Sequence, residues 1–453
     1  MVGIGWIVLV GGLLAQAAYL GTVLGFVGGA LIMIVIALCY AEIMSLFPVA
    51  GGEFAYAYRI FGEEMAFLCG WILALAYIVV TAFEAISVGW LATLLLPQLK
   101  GDVAYRILGQ DIYSGQVFIG FVGMFAMYLI NARGVKVAAK VQDILVVSLL
   151  IVSLVFIAYA LSVGSLENMQ PLFVGDDAIS NTWSVLFVVG VIPFWFAGFD
   201  VIPQAMSEKS ESVPASKIGM VLVIGIVSAL LFYVLILTAT ALVAPRGLIL
   251  SSEIPLKDAF DTIYDSPGLS TLVLVAGLLG LLSTWNAIYF AGARVVYALA
   301  RARFLPQFFS SVHREYRTPV RSLQFVALSA MVLVLLGKVA ISPIVNALSS
   351  ALSAVFFLTC LGVLLLRLNE PKLHRPYKMP GGVLTAVVGT LGAALICAQS
   401  LFASFQSVKV FSLPLEWLIL LLWLVVGIGF WLVTGDYRKT IGDAERRDLL
   451  LKS

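Results

Sequence analysis

Residues 183–211 read WSVLFVVGVIPFWFAGFDVIPQAMSEKSE, and this stretch decides the fold. Trp183 to Phe196 is an apolar, helix-like run that reaches Ala197-Gly198-Phe199-Asp200, meets Pro203, and continues only briefly before Glu208, Lys209 and Glu211. In hydrocarbon every backbone N–H and C=O needs a partner. Gly-Phe-Asp followed by proline at mid-span therefore belongs where the freed groups face protein, water or a ligand. A helix broken at the membrane midplane is a candidate binding site. The plainer reading is a proline-kinked helix with Asp200 near a water-filled end, and a second interrupted segment at the start of the chain favours the first.

Composition agrees with a membrane setting. The chain has 453 residues, 62% of them hydrophobic and 11% charged, with a mean hydropathy of +1.06, which is too apolar for a soluble fold of this size. A net charge of +2 excludes nucleic-acid binding through bulk basicity. Cys39, Cys69, Cys360 and Cys397 all lie in apolar runs without paired spacing and read as small core residues. His313 and His374 sit in basic loops. No metal site, and no nucleophile–base constellation of an enzyme, can be assembled from these residues.

Runs long enough to cross roughly 30 Å of hydrocarbon fall at about 2–19, 22–46, 65–96, 115–131, 137–163, 181–207 (broken), 218–244, 267–299, 322–340, 343–366, 381–404 and 413–434, twelve in all. Placing the loop after the second segment in the cytoplasm collects 21 of the 27 lysines and arginines on that side. The positive-inside rule then puts the C-terminus in the cytoplasm of a multi-pass cell-membrane protein. The reading is one transmembrane domain over 1–434, with helices 1–5 over about 1–163, helices 6–10 over about 181–366, helices 11–12 over about 381–434, and a cytoplasmic tail over 435–453.

The first segment shares the character of the sixth. Gly3-Ile4-Gly5-Trp6 opens directly into an apolar run, and glycines there let backbone approach a ligand closely. A helix beginning near Trp6 would point its free N–H groups at this stretch and form an anion site. Close helix packing through small residues is the alternative.

With those residues in view, the chain resembles the amino acid–polyamine–organocation superfamily of secondary transporters, in its bacterial amino acid permease branch, over essentially its whole length. The resemblance is carried by Gly3-Ile4-Gly5-Trp6, by Cys39-Tyr40-Ala41-Glu42 with Phe47-Pro48-Val49-Ala50-Gly51-Gly52-Glu53-Phe54, and by Phe196-Ala197-Gly198-Phe199-Asp200 with Glu208. Thr284-Trp285-Asn286-Ala287 through Arg294, and Arg375 to Gly382, support it. It implies an all-α polytopic fold of the leucine-transporter type: a five-plus-five inverted repeat plus two C-terminal helices, with helices 1 and 6 discontinuous. On that comparison the inner half of helix 1 is missing, its break lying at the very start of the sequence.

The resemblance also implies a substrate that is an amino acid or a related amine. A carboxylate would sit on the N–H groups around Gly3, Ile4, Gly5, Trp6 and Ile7, and an ammonium on the carbonyls around Phe196 and Ala197, with Gly198, Phe199, Asp200 and Asn286 completing the site. Phe194, Trp195 and Phe199 supply rings for cation–π contact or a gate, or serve as packing, and Phe194 aligns with a gating aromatic of relatives. Asp200 acts as a proton or cation site, or caps the inner helix half; the two are compatible. Glu84, the one charge between Glu64 and Lys100, is a second intramembrane carboxylate suited to a proton or a substrate amine. Glu42 reads as a loop or gate contact. Many proton-coupled or sodium-independent relatives carry a lysine in segment 5, which is absent here, while Ser283 and Thr284 offer a hydroxyl pair for sodium or simply bond back to their own helix. The coupling ion is thus a proton or sodium, unless transport is exchange, and no other cofactor is expected. The competing functions are a polyamine or organocation permease of the same fold and, in a different class, a membrane channel.

Overall fold

The computed structural model describes residues 2–49, 51–204, 216–404 and 408–451. Its helices in chain order are α1 (Gly5–Val8), α2 (Val10–Leu46), α3 (Gly52–Phe61), α4 (Glu63–Leu95), α5 (Ser114–Ala132), α6 (Val135–Val163), α7 (Ala178–Phe196), α8 (Val201–Gln204) and α9 (Ser216–Val243). There follow α10 (Arg246–Ser251), α11 (Pro255–Thr262), α12 (Pro267–Arg301), α13 (Val320–Val334), α14 (Ile341–Asn369), α15 (Val383–Ser404), α16 (Leu415–Val433), α17 (Gly435–Lys439) and α18 (Asp443–Leu451). Two loop hairpins, which the apolar runs did not announce, pair β1 (Val103–Ile107) with β2 (Gln110–Tyr113) and β3 (Lys409–Val410) with β4 (Leu413–Pro414).

Ten helices among the described residues are long and apolar enough to cross a membrane. The twelve expected segments reduce to ten for two reasons. From Val10 onward the first two segments run together as α2, whose backbone leaves helical geometry at Ala18 (φ 54°, ψ −172°). Carbonyls released by that kink are taken up locally: Thr22 Oγ1 donates to Ala18 O at 2.6 Å, and the Arg246 guanidinium donates to Leu14 O and to Ala15 O. The ninth segment shortens to the 15 residues of α13, because Gly337–Ala340 form a 3-10 turn before α14.

The core is one continuous apolar cluster in which α4 lies at the centre, packed against α12, α14 and α5, while α2 packs on α7 and α9. Gly277 and Gly280 of α12 let the start of the chain approach closely. A Cβ at Gly280 would lie 2.9 Å from Gly3 O, and one at Gly277 would lie 2.4 Å from Ile7 Cδ1. On the far side of α4, Trp71 and Trp423 stack at 4.2 Å, and each indole N–H donates to the other's backbone carbonyl at 2.8 Å, which ties α16 to the bundle.

One end of the bundle is rich in arginine. There Arg59 makes a bidentate pair with Glu370 at 2.9 and 3.0 Å, and Arg446 pairs with Glu63. Glu42, at the end of α2 and buried, is held by Arg367, by Arg375 Nε at 3.1 Å and by the Met379 N–H at 3.0 Å. It fastens α2 to the connection between α14 and α15, the loop contact expected for it.

Candidate functional site

The start of α1 and the interruption after α7 converge on one place. α1 begins at Gly5, and its first bond runs from the Ile7 N–H to Ile4 O at 2.9 Å, so the N–H groups before Ile7 have no carbonyl of a preceding turn to bond. In the second interruption α7 stops at Phe196, where Ala197 turns to φ −52°, ψ 138°, and Gly198 takes φ 119°, a left-handed value that a side chain resists. The helix resumes at Val201 and runs to Gln204, the last described residue before 216. Carbonyls of the last turn of α7 thereby lose their helical donors, and that of Trp195 is taken by the Tyr233 hydroxyl at 2.9 Å.

Between the interruptions lies a small cavity lined by Gly3, Ile4, Gly5, Val80, Glu84, Phe194, Ala197, Tyr233, Thr284, Ile288 and Leu348. It leaves about 20 Å³ for the centre of a water molecule, so one water fits and an amino acid does not until a wall moves. Phe194 is that wall, since a Cβ on Gly5 would meet its ring at 2.8 Å, and the ring stands edge-on to Phe83 at 5.1 Å. Polar chemistry comes from Glu84 and Thr284. The Thr284 hydroxyl donates to Glu84 Oε1 at 2.6 Å, while Glu84 Oε2 is buried with no partner. A larger cavity of about 220 Å³ lies toward the other end of the bundle from the arginines, among Leu9, Leu13, Gln16, Phe187, Trp195 and Asn346.

Toward the arginine-rich end the site is shut. Asp200 Oδ1 accepts from the Gly198 N–H at 2.6 Å, closing the break on itself, and the Tyr77 hydroxyl of α4 donates to Asp200 Oδ2 at 2.8 Å. One turn further, Gln204 Nε2 donates to Glu53 Oε2 of α3 at 2.5 Å. Gly52 holds φ +44° with Gln204 Nε2 only 2.6 Å from where its Cβ would be, so α3 and α8 meet backbone to side chain.

Of the residues singled out from sequence, Gly3, Ile4, Gly5, Phe194, Ala197, Glu84 and Thr284 line the cavity. Others stand apart from it. Trp6 stacks on Phe156, Phe196 packs against Phe26 and Tyr233, and Phe199 against Tyr40 and Phe356. Asp200 caps the break beneath the cavity, next to Gly198. The hydroxyls of Ser283 and Thr284 do not face one spot, because adjacent helical positions diverge by about 100°. Ser283 Oγ accepts from Gln142 Nε2 at 2.6 Å, and Asn286 bonds Asn131 and Gln142, so both belong to a cluster between α5, α6 and α12. Glu208, Lys209 and Glu211 lie outside the described residues. Sequence reasoning passed over Tyr77, Gln204 and Tyr233, and treated Glu53 only as part of a motif. The signal for Glu53 was a carboxylate placed directly after Gly51-Gly52.

The family described as "Amino acid permease" matches residues 1–432. Among similar proteins, the methylthioribose transporter of Bacillus subtilis is 24% identical over 94% of this chain and 88% of its own length. The branched-chain amino acid permease of B. subtilis is 28% identical over 80% of this chain and 77% of its own, and its counterpart in Lactococcus lactis is 24% identical over 95% and 90%. The b(0,+)-type amino acid transporter 1 of Mus musculus is 23% identical over 76% of this chain. A bundle of membrane-length helices, a helix interrupted at Ala197-Gly198 beside the start of α1 at Gly5, and a match along nearly the whole sequence lead to one conclusion: the chain belongs to the amino acid permease family, as a multi-pass membrane transporter.

Proposed function

We propose that this transporter is a secondary active, alternating-access carrier of amino acids with apolar side chains, coupled to protons through Glu84. The observation that carries the reading is the cavity beside the break after α7, with a second, larger cavity on one side of it and the Asp200–Tyr77 and Gln204–Glu53 contacts closing the other. Free N–H groups near Gly3 to Gly5 suit a carboxylate, and carbonyls ending α7 suit an ammonium. Val80, Ile288, Leu348 and Phe194 offer an apolar wall to the side chain, which agrees with the similarity to branched-chain permeases.

Proton coupling is favoured over sodium because Ser283 bonds Gln142 instead of joining Thr284 at the cavity. Glu84, buried with one oxygen unpartnered, is the kind of carboxyl that carries a proton. With 21 of 27 basic residues on one side, the arginine-rich end is cytoplasmic, and with it the C-terminus. The organisation proposed is a single domain over 1–434 and a tail over 435–453, acting on a small-molecule substrate with no enzymatic step.

Uptake by purified protein in liposomes tests this directly. The panel holds leucine, valine, lysine, a polyamine and methylthioribose, each with and without a pH gradient and a sodium gradient. Leucine or valine uptake that saturates, follows the pH gradient and is lost in Glu84→Gln is the expected result. Uptake confined to lysine or the polyamine would overturn the substrate, and uptake driven by sodium alone would overturn the coupling.

A further inference from the structure

We propose that one face of α4 is a proton route joining the central cavity to the cytoplasmic end, from Glu84 through Thr81 and the Tyr77–Asp200 pair to Glu53; the proposal rests on the carrier reading above. Positions 77, 81 and 84 are spaced four and three apart and so share a helical face. Tyr77, Thr81, Glu84, Asp200, Gln204 and Glu53 are all buried.

The observation that marks a route is a string of polar atoms without partners. Glu84 Oε2, Thr81 Oγ1, Gln204 Oε1, Glu53 Oε1 and the Tyr56 hydroxyl are all buried and, among the described residues, unbonded. Buried polar atoms nearly always find a partner, and water is the usual one where protein supplies none. Glu42 shows the opposite arrangement, since two arginines and a backbone N–H hold its carboxylate. Among the described residues, no lysine or arginine forms an ion pair with Glu84, Asp200 or Glu53. These carboxyls have the surroundings of proton carriers, whereas Glu42 has those of a fixed anion.

Each step keeps its atoms. Thr81 and Tyr77 are hydroxyls, able to accept a proton on a lone pair while giving up their own. From Glu84 to Thr81 and from Thr81 to Tyr77 is one helical turn each, roughly 5 Å, a span that a single bridging water closes. Tyr77 already donates to Asp200 at 2.8 Å, so as it accepts the incoming proton its own passes to Asp200 Oδ2, and a bridging water takes a proton from Asp200 and gives one to Glu53 Oε1. Gln204 carries no proton; it holds Glu53 Oε2 at 2.5 Å and leaves Oε1 free to receive one. The net change is one proton lost at Glu84 and one gained at Glu53, which sits on the loop helix α3 that must shift when this end opens. The titratable groups around Glu53 are Asp200, Tyr40, Tyr56, Cys69 and Tyr77, around Glu84 is Tyr233, and the positive charge of the chain's amino terminus acts on both Glu84 and Asp200.

The test is leucine-driven proton entry into liposomes loaded with a pH-sensitive dye, set beside exchange of labelled for unlabelled leucine in the same vesicles. Thr81→Val keeps shape and removes the relay, Thr81→Ser keeps the relay, and Glu53→Gln removes the acceptor. The expected result is proton entry lowered at least about tenfold, equivalent to about 1.4 kcal/mol on the barrier, in Thr81→Val and in Glu53→Gln. Exchange should persist in Thr81→Val, and Thr81→Ser should behave as wild type. Wild-type proton entry in either Thr81→Val or Glu53→Gln overturns the route. Leucine transport by the wild type with no proton movement also overturns it while leaving the carrier intact; absence of any transport by the wild type sinks the carrier reading itself.

Discussion

Replacing Tyr77 by phenylalanine removes one oxygen and nothing else from the closed end of the molecule. That oxygen donates to Asp200 Oδ2 at 2.8 Å and lies 3.1 Å from Asp200 O, and the ring that bears it is buried and stays so. A hydrogen bond to a carboxylate contributes about 1.5–3 kcal/mol where both partners are buried. The bond links α4 to the break after α7, so it exists only while this end is shut. Its loss therefore leaves the open state unchanged and moves the equilibrium toward opening by roughly ten- to a hundredfold. Ala197 lines the cavity, and a cysteine placed there reports on access. In a background where Cys397, the one native cysteine that is not fully buried, is replaced by serine, a membrane-impermeant maleimide applied from the cytoplasmic side should label Ala197→Cys faster by that factor when Tyr77→Phe is added. Equal labelling rates with and without Tyr77→Phe, in protein of equal yield, would refute the idea that this hydroxyl holds the end shut.

Three further outcomes follow from the same geometry. Glu42→Gln leaves Arg367 and Arg375 facing a neutral amide and should destabilise the fold by about 3–5 kcal/mol, seen as a lower melting midpoint in detergent; an unchanged midpoint would remove Glu42 from the structural account. Gly5→Ala places a Cβ 2.8 Å from the Phe194 ring, overpacking by about 1–3 kcal/mol, and should raise the KM for leucine, with Phe194→Leu restoring it in the double variant; an unaltered KM would mean Phe194 is not the wall that moves. Burial, and next the charge of Asp200, push the Glu53 carboxyl from 4.5 up to about 8. A carboxyl raised in the folded state costs stability as it ionises, so the melting midpoint should decline as pH rises from about 4.5 to about 8 and level off above that, and Glu53→Gln should flatten the decline over the same window.

Much of this architecture was legible because lipid imposes simple rules. Charge-free runs fixed the positions of α9, α12 and α14 to within about three residues, and Gly198 with Pro203 marked the interruption that the structure places at 197–200. What escaped notice depends on direction within a helix. Ser283 and Thr284 are adjacent in sequence yet face different neighbours, and Asn286 turns to Asn131, because a motif fixes residue identity but not the helical face that packing selects. Asp200 reads from sequence as a proton site or a cap of the inner helix half; its Oδ1 accepts from the Gly198 N–H, two residues earlier, a bond set by the backbone turn at 197–198 and not by residue type. The Ala18 kink and the short α13 were hidden for another reason, since apolar composition is continuous across both and only long-range contacts such as Arg246 to Leu14 and Ala15 reveal where the helix yields. Tyr77, Thr81 and Glu84 did carry a readable signal in their four-and-three spacing, but the ends of the line, Asp200 and Glu53, come from elements far away in sequence.

A cavity that loads substrate from one side at a time must show counterflow. Liposomes containing purified protein and a high concentration of unlabelled leucine are diluted into a trace of labelled leucine with no ion gradient. The account predicts transient accumulation of label above equilibrium, saturating with external leucine and abolished in Gly5→Val, whose side chain would occupy the cavity against Phe194. Label that only equilibrates, at a rate linear in concentration and indifferent to internal leucine, would contradict it.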